Sequence, residues 1–328
     1  MSKIALVIIF NHQYNENIEI LENIYRERFS YIFHLVPFYS GEKKNVIPIY
    51  ENSYNFQGYL AQGFRDYFRK EFEHYFFIGD DLILNPIINQ DNYKLLFKLK
   101  NSSSFLPGFI SLHNMNLGKG WWRWPRVSEA YNFKINDPSV EIKKQLPSYE
   151  KALQSFNKFG LELKPLKYQQ IWKTPENFKE WRKMYHDEKS FKLIYNTIKK
   201  LHFNGEYELS YPLVGSYSDI LIVSSENIKE FCHYCGVFAA ARLFVEIALP
   251  TALILSAEDI ITEKDLEFQG KALWPNGVGR LTGDMSLAYG DENELEHYNY
   301  SLNSLLNNFP PNYIYLHPIK LSKWKNNL

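Results

Sequence analysis

Two adjacent carboxylates interrupt an apolar run in His74-Tyr75-Phe76-Phe77-Ile78-Gly79-Asp80-Asp81-Leu82-Ile83-Leu84, and chemistry is expected at that interruption. An apolar run of this length, rich in aromatic residues, predicts a strand buried on both faces of a sheet. Burying a carboxylate without a partner costs several kcal/mol. The acids are therefore expected where the strand ends, facing a cleft. A hard divalent cation, Mn²⁺ or Mg²⁺, is a natural partner, because it takes carboxylate oxygens together with those of a bound diphosphate. The same pair, followed by Asn85-Pro86, also fits the start of a solvated turn.

Other residues could serve such a site. Asp219 opens the apolar run Ile220 to Val223 and repeats the logic of the first acids. Near the end, His317-Pro318 stops the run Tyr313 to Leu316, and Lys320 beyond it could reach a phosphate. Glu246 stands alone among Leu243, Phe244, Val245, Ile247, Ala248 and Leu249, so it is either paired or functionally tuned. Its pairing alternative is Arg242, four residues earlier on one helical face. The stretch Gly118-Lys119-Gly120-Trp121-Trp122-Arg123-Trp124-Pro125-Arg126 suits a loop that stacks on sugar rings and holds anions with guanidinium forks. Trp121, Trp122 and Trp124 could equally plug the space between sheet and helices. Cys232 and Cys235 read as two reduced structural cysteines in a helix.

The elements that must position these residues alternate. Ile4 to Phe10 predicts a first strand, and a helix capped by Asn15 carries Ile18, Leu21, Ile24 and Tyr25 on one face. Strands follow at Tyr31 to Pro37 and Val46 to Tyr50, then a helix over Gln57 to Phe72 that leads into the strand carrying the acids. Later, Phe105 to His113 and Pro212 to Val223 read as strands, and one long helical stretch carries Phe238, Leu243, Phe244, Glu246 and Ile247. This alternation predicts an α/β fold with a mostly parallel central sheet flanked by helices. Ligands of such sheets bind beyond the carboxyl ends of the strands. Residues 138–204 turn polar and lysine-rich, with helical segments at Tyr149 to Phe159, Glu176 to His186 and Ser190 to Leu201; they read as a helical insertion able to meet an acceptor or a membrane surface.

In the order of these elements and the triplet Gly79-Asp80-Asp81, the chain resembles glycosyltransferases of the GT-A fold, of bacterial surface-polysaccharide type, with a degenerate DxD motif. The resemblance implies a Rossmann-like sheet and one continuous catalytic domain. Residues 1–115 would form its nucleotide-sugar-binding half and residues 116–328 its acceptor-binding half. It makes Asp81 a metal ligand and His317 the histidine that completes the shell, which favours Mn²⁺ over Mg²⁺. Asp80 would face the ribose, and Phe10, Asn11 and Glu51 would contact base and ribose. Glu246 would be the general base of inverting transfer, with Asp219 next in line. The donor would be a nucleotide-diphosphate sugar and the acceptor a glycan or lipid-linked glycan. A catalytically silent sugar-nucleotide or glycan-binding subunit and a sugar nucleotidyltransferase remain the alternatives.

Composition sets the outer bounds. The 328 residues carry 37 basic and 37 acidic side chains, so no global field points to nucleic acid and an anionic ligand must be held locally. Aromatic residues make up 17% of the chain, more than a core requires, and exposed rings that stack on sugars are one use of the surplus. GxGxxG and GxxxxGK[ST] loops are both missing, which argues against dehydrogenase and NTPase chemistry. Ile4 to Phe10 is too short for a membrane span and lacks signal-peptide features. The expected location is the cytoplasm, with peripheral association at the inner face of the plasma membrane left open.

Overall fold

The computed structural model describes residues 3–114, 129–135, 142, 144–167, 195–196, 199–274 and 288–326. The first half runs β1 (Ile4–Ile9), α1 (Glu16–Tyr25), β2 (Ile32–Pro37), β3 (Val46–Ile49), α2 (Gln57–Tyr67) and β4 (His74–Gly79). β5 (Ile83–Leu84), α3 (Tyr93–Leu96) and β6 (Ser103–Phe105) follow, then α4 (Tyr149–Lys158), β7 (Leu166–Lys167) and β8 (Glu206–Tyr207). The rest is β9 (Ile220–Ser224), α5 (Ile228–Ala240), α6 (Val245–Ser256), β10 (Asp259–Ile261), β11 (Gln269–Trp274), β12 (Ala288–Asp291), α7 (Leu302–Asn307) and β13 (Tyr313–His317).

A seven-stranded sheet in the order β10-β6-β9-β4-β1-β2-β3 forms the centre. β4, β1, β2 and β3 are parallel, as are β6 and β10, while β9 runs antiparallel to both neighbours. The architecture is thus α/β with a mostly parallel sheet, and β9 and β10 enter it from beyond residue 116. β1 and β4 are buried along their whole length, which explains their unbroken apolar sequence. Alternate residues feed two cores. Ala5, Val7, Tyr75 and Phe77 pack with α2, α5 and α6, and Leu6, Ile8, Phe76 and Ile78 pack with α1 and a second sheet.

That second sheet has the order β12-β11-β13-β5, with β5 antiparallel to β13. β4 and β5 belong to different sheets and are separated by three residues only, Asp80, Asp81 and Leu82. The acidic pair is therefore the corner at which the chain passes from one sheet to the other.

Several boundaries differ from expectation. Asn15 occupies the N-cap place of α1 but is itself helical (φ −57°), and its side chain makes no cap hydrogen bond. α2 ends at Tyr67, because Phe68 is already extended and packs its ring on Tyr75. The strand expected over Phe105 to His113 shrinks to Ser103–Phe105, after which only an isolated bridge joins Ile110 to Gly215. The long helix expected around Phe238 to Ile247 is two helices. Arg242 lies between them with φ +54°, so it shares no helical face with Glu246 and the helical basis of the alternative i,i+4 pairing is gone. Pro250, inside α6, has no N–H to offer the Glu246 carbonyl, and that carbonyl accepts from Ser216 N–H at 2.9 Å instead.

Cys232 and Cys235 are free and buried in α5, and burial pushes the Cys232 thiol up to about 12. Of the expected insertion, α4 and residues 199–204 are helical, while Glu176 to His186 lies outside the described residues. Among the described residues, no helix is long and apolar enough to cross a membrane.

Candidate functional site

The carboxyl ends of β1, β2, β3 and β4 share one edge of the central sheet, and the antiparallel β9 brings its amino end to the same edge. Ile78 pairs with Ile220, and the next residue on each side, Gly79 and Asp219, is joined by a hydrogen bond from Gly79 N–H to Asp219 O of 2.9 Å. Asp81, in the corner after β4, accepts at its carbonyl from Ile319 N–H (2.6 Å), which places the end of β13 beside it. Three residues far apart in sequence thus meet at the strand ends. The ligating atoms of Asp81, Asp219 and His317 all lie within 4.8 Å of one another.

His317 Nε2 is 3.1 Å from Asp81 Oδ1 and 3.7 Å from Asp219 Oδ1. Burial works against an imidazolium here, but the carboxylates of Asp219 and Asp81 outweigh it and lift the His317 pKa to about 9. For Asp81, burial raises the carboxyl while the His317 charge wins and holds it below the usual range, with Lys320 helping. Asp219 goes up, because burial and the Asp81 charge exceed the pull of His317. Asp81 Oδ1 is enclosed and, despite the short approach of His317, has no aligned hydrogen-bond donor. Two carboxylates and one imidazole, with an enclosed oxygen left to satisfy, fit a borderline divalent cation such as Mn²⁺ better than an all-oxygen ion such as Mg²⁺.

Gly79 is part of this geometry. A Cβ at position 79 would lie 3.2 Å from Asp81 Oδ1 and 3.7 Å from Asp219 Oδ1. The space beside Gly79 is therefore bordered by the Asp81 carboxylate and by one delivered from the neighbouring strand.

Asp80 is buried, and its Oδ1 accepts from the Asn11 N–H at 3.1 Å. Burial, followed by the Asp81 charge, pushes its carboxyl up to about 7 against the hydrogen bonds from Asn11 and Asn17. It clamps the end of β1 to the corner. Phe10 is fully buried edge-on against His34, on the core side of the β1 alternation. Glu51 sits after β3, half-buried, accepting from the Asn52 N–H (2.8 Å) and side-chain amide (2.6 Å). Lys320 is exposed beside Asp81. Glu246 lies in the first turn of α6 and is not one of the three clustered ligands. Trp121, Trp122, Arg123, Trp124 and Arg126 fall outside the described residues.

Sequence reasoning missed an aromatic platform on this edge. Phe38, directly after β2, and Tyr50, directly after β3, are 57% and 69% exposed, with ring centroids 6.1 Å apart. Phe38 adopts φ +54°, and its N–H is held by Ile49 O at 2.8 Å. Tyr14, half-exposed, packs edge-on to His12 after β1. The available signal was an aromatic residue immediately after each of two parallel strands.

Compared with known proteins, the chain matches no protein-family model and aligns with no curated protein in sequence.

Proposed function

We propose that the chain is a cation-dependent glycosyltransferase of GT-A type, moving a sugar from a nucleotide-diphosphate donor to a glycan or lipid-linked glycan acceptor. The observation that carries this reading is the convergence of Asp81, Asp219 and His317 at the carboxyl edge of a mostly parallel sheet, the edge at which such sheets bind ligands. A divalent cation held there would offset the charge of the diphosphate as it leaves. Lys320, exposed next to Asp81, adds a positive charge for the same phosphates. Phe38 and Tyr50 offer exposed rings for the base, in the role first expected of Phe10. Glu246 is the proposed base that takes the acceptor's proton in an inverting transfer, while Asp219 belongs with the cation ligands.

Thermal denaturation with UDP-, GDP-, CDP- and CMP-sugars, each with and without Mn²⁺, tests this. One nucleotide class should raise Tm only in the presence of Mn²⁺, since a ligand at 100 times its Kd stabilises by about 2.7 kcal/mol. Asp81→Ala should remove that shift and leave the ligand-free Tm nearly unchanged. Failure of every nucleotide to shift Tm with Mn²⁺, or a full shift in Asp81→Ala, would sink the reading.

A donor-binding subunit without transfer is the second reading, favoured by Gly79 standing where the first acid of the motif would be. Nucleotide release on adding acceptor decides between them. If transfer occurs, Glu246→Gln should slow it by about 10² to 10⁴.

A further inference from the structure

A histidine offers a cation the right nitrogen only if its ring is held, and ligating histidines usually engage the other ring nitrogen in a hydrogen bond. His317 has such a partner. Tyr315 and His317, two apart on β13, share one face of the strand, and Tyr217 from the segment before β9 lies across both. Its ring is parallel to Tyr315 (centroids 6.1 Å apart, 8° between planes) and edge-on to His317 (5.6 Å, 78°). The Tyr217 hydroxyl is hydrogen-bonded to His317 Nδ1, and Trp274 closes on the imidazole edge-on at 5.7 Å. The stack is anchored behind: Tyr315 donates its hydroxyl to Glu263 Oε1 at 2.9 Å. A Cβ on Gly270 would come within 1.9 Å of the Tyr315 ring, so only glycine leaves room for it.

We propose that Tyr217 is a positioning residue that fixes Nε2 of His317 toward Asp81 and Asp219 and thereby makes the cluster prefer a borderline cation such as Mn²⁺ over Mg²⁺. This rests on the reading of the cluster as a cation site. Two carboxylates hold a hard ion without help from an imidazole, whereas an ion that accepts nitrogen gains from a ring already aimed at it. Removing the hydroxyl lets the imidazole turn, and the loss falls on the ion that uses nitrogen.

The test is Tyr217→Phe, which keeps both ring contacts and deletes the hydroxyl. Calorimetric titration with Mn²⁺ alone and Mg²⁺ alone should show Mn²⁺ affinity falling about 10- to 100-fold with Mg²⁺ affinity nearly unmoved. Tyr315→Phe deletes the other hydroxyl of the stack and should lower Tm while preserving the Mn²⁺-to-Mg²⁺ ratio. On the parent protein, ¹⁵N-histidine spectra during titration with diamagnetic Zn²⁺ should show the metal-bound shift at His317 Nε2. Metal on Nδ1, or an unchanged ratio in Tyr217→Phe, overturns the positioning role while leaving the cation site standing. A parent protein that binds none of the three ions removes the cation site, and the positioning role with it.

Discussion

At Gly79 the missing side chain matters more than the backbone freedom. The residue is the last of β4, pairs across to Asp219, and has none of the left-handed geometry that favours glycine. Its Cβ would meet Asp81 Oδ1 at 3.2 Å, tight enough to displace that oxygen by a few tenths of an ångström, and Asp219 Oδ1 at 3.7 Å, an ordinary contact. Gly79→Ala is therefore expected to leave Tm unchanged or slightly raised, because alanine reduces the entropy of the unfolded chain. Mn²⁺ affinity should fall about tenfold, the scale at which displaced supporting groups weaken metal sites. Calorimetry on the two proteins checks both halves, and unchanged affinity would mean that Asp81 moves aside freely. The acids and His317 were legible in the sequence as polar breaks in apolar runs, since a charge inside a strand has to find a partner. The resemblance already put Asp81 with His317, whereas Asp219 joining them was not legible, because that depends on β9 running antiparallel beside β4. The burial of Phe10 was not legible either, because the alternation that turns its ring into the core shows only once the faces of β1 are assigned.

Among the elements, the link from β10 to β11 holds a buried carboxyl with a pH signature of its own. Glu263, 2% exposed, accepts from Tyr315 Oη at Oε1 and from Gly270 N–H at Oε2 (3.0 Å), yet burial outweighs both and lifts its pKa from 4.5 to about 7. The folded state binds this proton more tightly than the unfolded state. Its contribution to stability is therefore full below about pH 4.5 and is lost as pH rises through about 7. The difference is on the order of 3 kcal/mol. Glu263→Gln can donate its amide to Tyr315 Oη and accept from Gly270 with no charge to bury. Urea denaturation at pH 5 and pH 8 should show the parent losing stability relative to the variant as pH rises; parallel behaviour would show Glu263 ionising freely. This acid sits in a polar stretch, Glu263-Lys264-Asp265, that gives no hint of burial. The alternation of strands and helices through β4 was readable from periodicity, whereas the break between α5 and α6 was hidden because Leu243 and Phe244 keep the apolar pattern going through the turn.

For the molecule as a whole, the candidate site is the seam between two sheets. Asp81 belongs to the corner joining β4 to β5, Asp219 enters beside β9 in the central sheet, and His317 ends β13 in the second sheet. A cation bound by all three would tie the sheets together, and its binding energy would act on any motion that parts them. At the seam Ile319 N–H is hydrogen-bonded to Asp81 O (2.6 Å), while Asn85 N–H to Ile314 O (2.9 Å) and the short β5–β13 ladder hold the corner's far end within the second sheet. Local openings of this kind occur well below the cost of global unfolding. Hydrogen exchange followed by mass spectrometry, with and without Mn²⁺, reads them directly. Peptides covering residues 79–85, 217–221 and 313–319 should slow together when Mn²⁺ is added, while α4 and α5, which pack in the other core, should not change. In Asp219→Asn the Mn²⁺-induced part of the protection of 313–319 should shrink even though the substitution lies in the other sheet, because a shared cation would couple the two beyond the direct Asp219–His317 contact. Protection confined to one of the three peptides would show a ligand set that does not span the seam, and protection undiminished in Asp219→Asn would remove Asp219 from it.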